Sequence, residues 1–166
     1  MSNAPRGPIY SLDTNVFMDW QARYYPTDIF GSLTPKIDAL IGEGRLFSPA
    51  LAKEELGAVG TAELSAWADA REGIWAPTEK LLAAALSIQS RFPGLRDPKA
   101  EHEEADAYVI ALAQLCDGNG IVVTQETSAA EKRNPRRPMF IPDVCRELGL
   151  TCISLQGLMR REKWVF

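Results

Sequence analysis

Apolar positions along the chain follow two rhythms, short β-prone runs and longer stretches with a helical repeat. Ile9-Tyr10-Ser11-Leu12 is a β-prone run after a lead rich in Pro and Gly, and Asp13-Thr14-Asn15 then opens a helical segment, Val16-Phe17-Met18-Asp19-Trp20. From Pro35 to Gly44, Ile37, Leu40 and Ile41 share one helical face, which Gly42 and Gly44 end. Leu46-Phe47 reads as a second strand. Ser48 as N-cap and Pro49 at the first helical position predict a helix running through Leu51, Glu54, Glu55 and Leu56. Further helices are predicted over 61–71 and 78–91, with a strand at Ile74-Trp75-Ala76-Pro77 between them. After a Pro/Gly loop at 92–98, Ala105, Val109, Ile110, Leu112, Ala113 and Cys116 mark a helix over 103–116 with an acidic first turn. Ile121-Val122-Val123-Thr124 is apolar throughout, as a strand buried on both faces requires. Residues 128–138 are polar and basic and read as a loop. A helix from Ile141 to Gly149, a strand Thr151-Cys152-Ile153 and a helix over 155–161 complete the chain.

Strands separated by helices predict an α/β fold with a parallel sheet. At 166 residues, with no repeat or linker, the chain reads as one domain over 1–166. A hydrophobic share of 46% and a charged share of 24% fit a folded globular protein rather than a disordered one. Residues 1–8 hold no apolar signal-like segment, and no apolar run reaches the roughly 18 residues a membrane span needs, so a cytoplasmic protein away from membranes is expected. Cys116, Cys145 and Cys152 are odd in number without a C-x-x-C pair, which predicts buried apolar cysteines rather than a disulfide framework or zinc ribbon.

The net charge of −4 counts against a nucleic-acid partner held by bulk electrostatics, unless clustered acids hold a metal ion that reverses the local field. Positions therefore matter more than totals. Ligands of an open parallel sheet bind beyond the carboxyl ends of its strands. Asp13 directly follows the first strand, and Glu126 lies just past Thr124 at the end of the most apolar one. Asp106 sits in the first turn of the helix leading into that strand. Each acid also has an ordinary reading as a helix cap or a first-turn charge.

Five segments in order change that balance: Tyr10-Ser11-Leu12-Asp13-Thr14-Asn15-Val16-Phe17, Ser48-Pro49 through Glu54-Glu55-Leu56, Ala105-Asp106-Ala107-Tyr108-Val109-Ile110-Ala111-Leu112-Ala113, Val122-Val123-Thr124-Gln125-Glu126 and Ile141-Pro142-Asp143-Val144-Cys145. Together they resemble the PIN-domain family, specifically the VapC-type toxins of type II toxin–antitoxin pairs. The resemblance implies a PIN-like Rossmannoid three-layer α/β/α fold and an endoribonuclease that depends on Mg2+ or Mn2+. It places Asp13 first among the metal-binding acids, Glu55 second with Glu54 as the alternative register, and Asp106 third. At the fourth place Glu126 stands where the family has Asp. Asp143 either adds a carboxylate or serves its helix start. Asn15 and Thr124 resemble polar supports for the acids, and the implied partners are RNA, a cognate antitoxin and a second copy of the chain.

Oxygen ligands suit hard cations, and an ion so held activates water for phosphodiester hydrolysis without a histidine base. The lone His102 then reads as a surface residue. Lys132, Arg133, Arg136 and Arg137, after Glu126, either guide the phosphate backbone or form a solvated loop, and the same choice holds for Arg160, Arg161 and Lys163. Trp20, Tyr24 and Tyr25 either stack on bases or belong to core or partner surface. A phosphatase of the haloacid-dehalogenase type would need an Asp where Asn15 stands. A PIN-fold module that binds RNA or protein without cutting it is the remaining alternative, with Glu126 marking a weakened site.

Overall fold

The computed structural model describes residues 5–166, so the first four residues of the lead read for a signal segment lie outside it. Its elements are β1 (Ile9–Leu12), α1 (Thr14–Met18) running on into a π-helical turn (Asp19–Tyr24), α2 (Leu33–Gly42), β2 (Leu46–Pro49), α3 (Ala50–Val59), α4 (Ala62–Asp69), β3 (Trp75–Ala76), α5 (Thr78–Arg91), α6 (Asp106–Gln114), β4 (Gly120–Val123), α7 (Ile141–Leu148), β5 (Thr151–Ile153) and α8 (Leu155–Arg161). The five strands form one parallel sheet in the order β3-β2-β1-β4-β5. The chain builds outward from β1 to β3, then returns to lay β4 on the other side of β1. The expected α/β fold with a central parallel sheet is what the structure has.

Alternation along the strands divides the core into two layers. Tyr10 and Leu12 of β1 with Ile121 and Val123 of β4 pack on Phe17, Trp20, Leu33, Ile37 and Leu158 on one face. Val122 faces the other way, onto apolar residues of α5, α6 and α7. Helix α6 is buried almost throughout, from Ala107 to Ala111, because α5 covers it from outside while the sheet lies beneath.

That helix comes unusually close to the sheet. The Ser11 hydroxyl donates to the Val109 carbonyl at 2.7 Å, and a Cβ on Gly120 would stand 2.1 Å from the Ala113 carbonyl oxygen. Small residues at these two positions set the depth of α6, whose first residue is Asp106.

Three expectations change in detail. Ser48 is not the N-cap of α3: it lies within β2, buried, and its hydroxyl donates to the Leu12 carbonyl at 2.7 Å, so the strand carries on through Pro49 and the helix starts at Ala50. The helix predicted over 103–116 runs from Asp106 to Gln114. Trp20 is buried and meets Trp67 edge-on at 4.7 Å, which makes it core and removes it from base stacking, whereas Tyr24 is exposed and Tyr25 packs half-buried on Phe30. Cys145 is buried, and Cys116 and Cys152 are half-buried. Among the described residues no helix is long and apolar enough to cross a membrane.

The close approach at Gly120 has a measurable cost when it is filled. Gly120→Ala is expected to destabilise the fold by roughly 1–3 kcal/mol, because backbone on both sides must shift to admit the methyl group. Urea denaturation read by circular dichroism checks this. Ala83→Gly on the exposed side of α5 serves as the comparison, with a loss nearer the roughly 1 kcal/mol of helix propensity.

Candidate metal centre

The reversal of strand order between β1 and β4 opens a crevice at their carboxyl ends, the usual ligand position in such sheets. Leu12 pairs with Val123, so Asp13 and Thr124 leave the sheet side by side. Helix α6 leads back into β4 and must therefore begin at this same edge, which brings Asp106 over the crevice. Carboxylate oxygens of Asp13, Asp106 and Glu126 all lie within 4.8 Å of one another. With Thr14, Asn15 and Glu55 they line a cleft of about 260 Å3.

Each acid is held by identifiable partners. Asp13 accepts from the Thr14 amide at 2.8 Å, as the N-cap of α1, and from the Thr124 hydroxyl at 2.8 Å. Its cap role and its place in the cluster coexist. Thr124 in turn accepts from the Glu126 amide at 3.1 Å and from the Asn15 amide group at 3.4 Å, and Asn15 accepts from the Gln125 amide at 3.1 Å. Both expected supports thus touch the acid cluster or the segment carrying it.

Glu55 accepts from the Thr14 hydroxyl and, at 3.0 Å, from the Ala105 amide just before α6. Glu54, one residue earlier on α3, is exposed and points elsewhere, so Glu55 holds the register that faces the cleft. Asp143 is not brought into the cluster. One of its oxygens accepts from the amides of Ala129 at 2.9 Å and Phe140 at 2.8 Å, and the other from Arg146 at 3.0 Å, so it organises the start of α7.

A family model described as a domain of unknown function, DUF4411, matches residues 10–166. The chain belongs to the DUF4411 family. No curated protein matches the chain.

The basic loop of this DUF4411 chain behaves differently from its composition. Arg137, expected either to guide phosphates or to lie in a solvated loop, has only 9% of its side chain exposed and turns inward. Its guanidinium donates to Asp106 at 2.7 Å and to Glu126 at 2.8 Å, reaches the Leu95 carbonyl, and stands 4.6 Å from the centre of the Phe140 ring. Arg133 and Arg136 are exposed, and Lys132 is half-buried, 4.5 Å from the Phe140 ring centre. His102 is exposed, as expected. Two residues of this network were not anticipated: Asp19, buried in the π-helical turn, and Gln125, which donates to Asp19 at 3.2 Å and accepts from the Leu155 amide at 2.8 Å. The place of Gln125 between Thr124 and Glu126 was the available signal.

Burial, with the crowding of like charges added to it, sets the protonation of the centre. Burial is the main force raising Asp13 well above the usual aspartate range, and the Asp106 and Glu126 charges add to it against the two hydrogen bonds it accepts. Glu126 is pushed up to about 7, by burial first and by Asp106 second, against the pull of Arg137. Asp106 and Glu55 are raised by burial as well. Burial disfavours the Arg137 charge, but Asp106 and Glu126 more than offset this and raise its pKa.

The folded protein therefore keeps a proton at Asp13 over a range where the unfolded chain, with an ordinary value of 3.8, has lost it. Stability from this group is present at low pH and is lost as pH rises through the raised value. In chelator, Asp13→Asn is expected to melt above wild type at pH 8, with the gap narrowing towards pH 5. Thermal melts across this range measure it, and a gap independent of pH would contradict the raised value.

Proposed function

We propose that the chain is a Mg2+- or Mn2+-dependent endoribonuclease of PIN-like type, the toxin of a type II toxin–antitoxin pair. The observation that carries the reading is the convergence of Asp13, Asp106 and Glu126 at the switch point of a parallel sheet, with Glu55 on the same cleft. Its order along the chain is the order in which the PIN-like segments occur. The donor set is all carboxylate oxygen, which suits a hard divalent ion. Adjacent ligands of Mg2+ sit about 3 Å apart at bonds of about 2.1 Å, so a 4.8 Å spread fits an ion that keeps part of its water shell. When bound, such an ion lowers the pKa of its water and offsets charge on a phosphodiester.

The chain's own residues supply the rest. Thr14 and Thr124 hold Asp13 with both oxygens directed, and Thr14 and Ala105 pin Glu55 as an acceptor on the cleft wall. Exposed Arg133 and Arg136 lie on the segment after Glu126, where they meet a phosphate backbone approaching the cleft. This reading carries with it RNA as substrate, a cognate antitoxin and a second copy of the chain as partners, and a cytoplasmic setting. One observation favours the alternative of a PIN-fold module that binds RNA or protein with little cleavage: the Arg137 guanidinium already engages one oxygen each of Asp106 and Glu126.

Cleavage of a mixed RNA substrate separates the two. Wild type is expected to cut with Mn2+ or Mg2+ and to stop in chelator, and Asp13→Asn and Asp106→Asn are each expected to lose about 100-fold or more in rate. The nuclease reading fails if antitoxin-free wild type is inert, or if Asp13→Asn cuts as well as wild type.

A further inference from the structure

Arg137 is largely buried and bonded to two acids of the cleft, yet it is not part of the cleft wall. The lining residues are Asp13, Glu55, Asp106, Glu126 and their neighbours, while Arg137, bonded to Asp106 and Glu126, is not among them. Its two terminal nitrogens go to different acids, one on α6 and one past β4, in the forked geometry that only arginine provides. Asp106 receives it on Oδ2 and Glu126 on Oε1. The other Glu126 oxygen accepts from the Ile141 amide at 3.1 Å. The second oxygen of Asp106 takes no protein hydrogen bond among the described residues, which leaves it available to the cleft.

Arg137 is itself fixed by its surroundings. Glu104 stands 3.4 Å from it, the Leu95 carbonyl accepts from it, and Phe140 covers its face. The adjoining chain docks on the turn after α5, where Met139 donates to the Gly94 carbonyl at 3.3 Å and Pro138 lies so close that a Cβ on Gly94 would stand 2.7 Å from it. A side chain held this way is a strut between two elements rather than a free cation awaiting a phosphate.

We propose that Arg137 is the positioning residue of the carboxylate centre: it ties Asp106 to Glu126, leaving the second Asp106 oxygen free and holding the two carboxylates at a spacing a divalent ion can bridge. The inference rests on the metal-centre reading. It opposes the simpler idea that the guanidinium merely takes the ion's place. A competing cation, once removed, leaves a more negative site that binds the ion more tightly. A clamp, once removed, leaves two repelling carboxylates free to part, and binding weakens although the negative charge has grown. Lysine keeps the charge but carries its donors on one nitrogen, without the two nitrogens at fixed separation that set the spacing of the acids, which separates geometry from charge.

Isothermal titration with Mn2+, together with the melting temperature in chelator, tests the proposal on wild type, Arg137→Lys, Arg137→Gln and Asp13→Asn. Arg137→Lys and Arg137→Gln are expected to weaken Mn2+ binding by about 10–100-fold, the range found when a group supporting metal ligands is removed. A purely structural role would lower the melting temperature of both and leave the Mn2+ affinity of the folded protein unchanged, which overturns the proposal. Tighter binding by Arg137→Gln also overturns it, in favour of competition. Should Arg137→Gln melt without cooperativity, Arg137→Lys, which keeps the buried charge paired, decides alone. If wild type binds no Mn2+, the metal-centre reading falls with the clamp. If wild type binds, Asp13→Asn does not, and both Arg137 variants bind as wild type does, only the clamp is lost.

Discussion

Three carboxylates within 4.8 Å of one another in a half-desolvated crevice repel, and the architecture around the crevice answers that repulsion. Hydroxyl and amide donors from Thr14 and Thr124 face Asp13, the Ile141 amide faces Glu126, and a guanidinium spans Glu126 and Asp106. These donors soften the conflict without removing it, since burial and mutual charge still raise the acids. Apolar packing alone would not gather such groups. Their gathering in one crevice is held by these donors rather than by packing.

Placement of the acids depends on how closely α6 lies on the sheet. Gly120 and Ser11 let its backbone approach the strands, and the helix direction then leaves no choice but to start at the carboxyl edge. The N-terminal end of a helix favours negative charge, so Asp106 sits where the helix dipole partly compensates its burial. Packing on one side of the sheet and chemistry at its edge are therefore one arrangement.

Much of this was legible in the sequence. Asp13 and Glu126 follow apolar strands, and a parallel sheet aims strand ends at a common edge. Asp106 was placed only through resemblance, although a helix that leads into a parallel strand has to begin at that edge. The choice between Glu54 and Glu55 needed the start of α3, and Ser48-Pro49 misled because a Ser-Pro pair satisfies the rules for a helix start while Ser48 is tied to the Leu12 carbonyl within the sheet. Trp20 was ambiguous because it lies in a π-helical turn, where the 3.6-residue repeat used to assign helix faces does not hold. Arg137 was the largest loss. An irregular loop carries no repeat from which side-chain direction can be read, and a run of basic residues looks solvated until its contacts are seen.

Pairs that build the centre are far apart along the chain: Asp13 and Thr124 are separated by 111 residues, and Arg137 lies beyond both. During synthesis the first acid leaves the ribosome long before β4 exists to sit beside it, and the basic strut comes later still. The crevice thus has no partial form that precedes the sheet. A chain halted before β4 holds Asp13, Glu55 and Asp106 without the strand that would bring the fourth acid to them. The acid cluster is complete only when nearly all of the polypeptide has emerged, a form of timing written into the strand order itself.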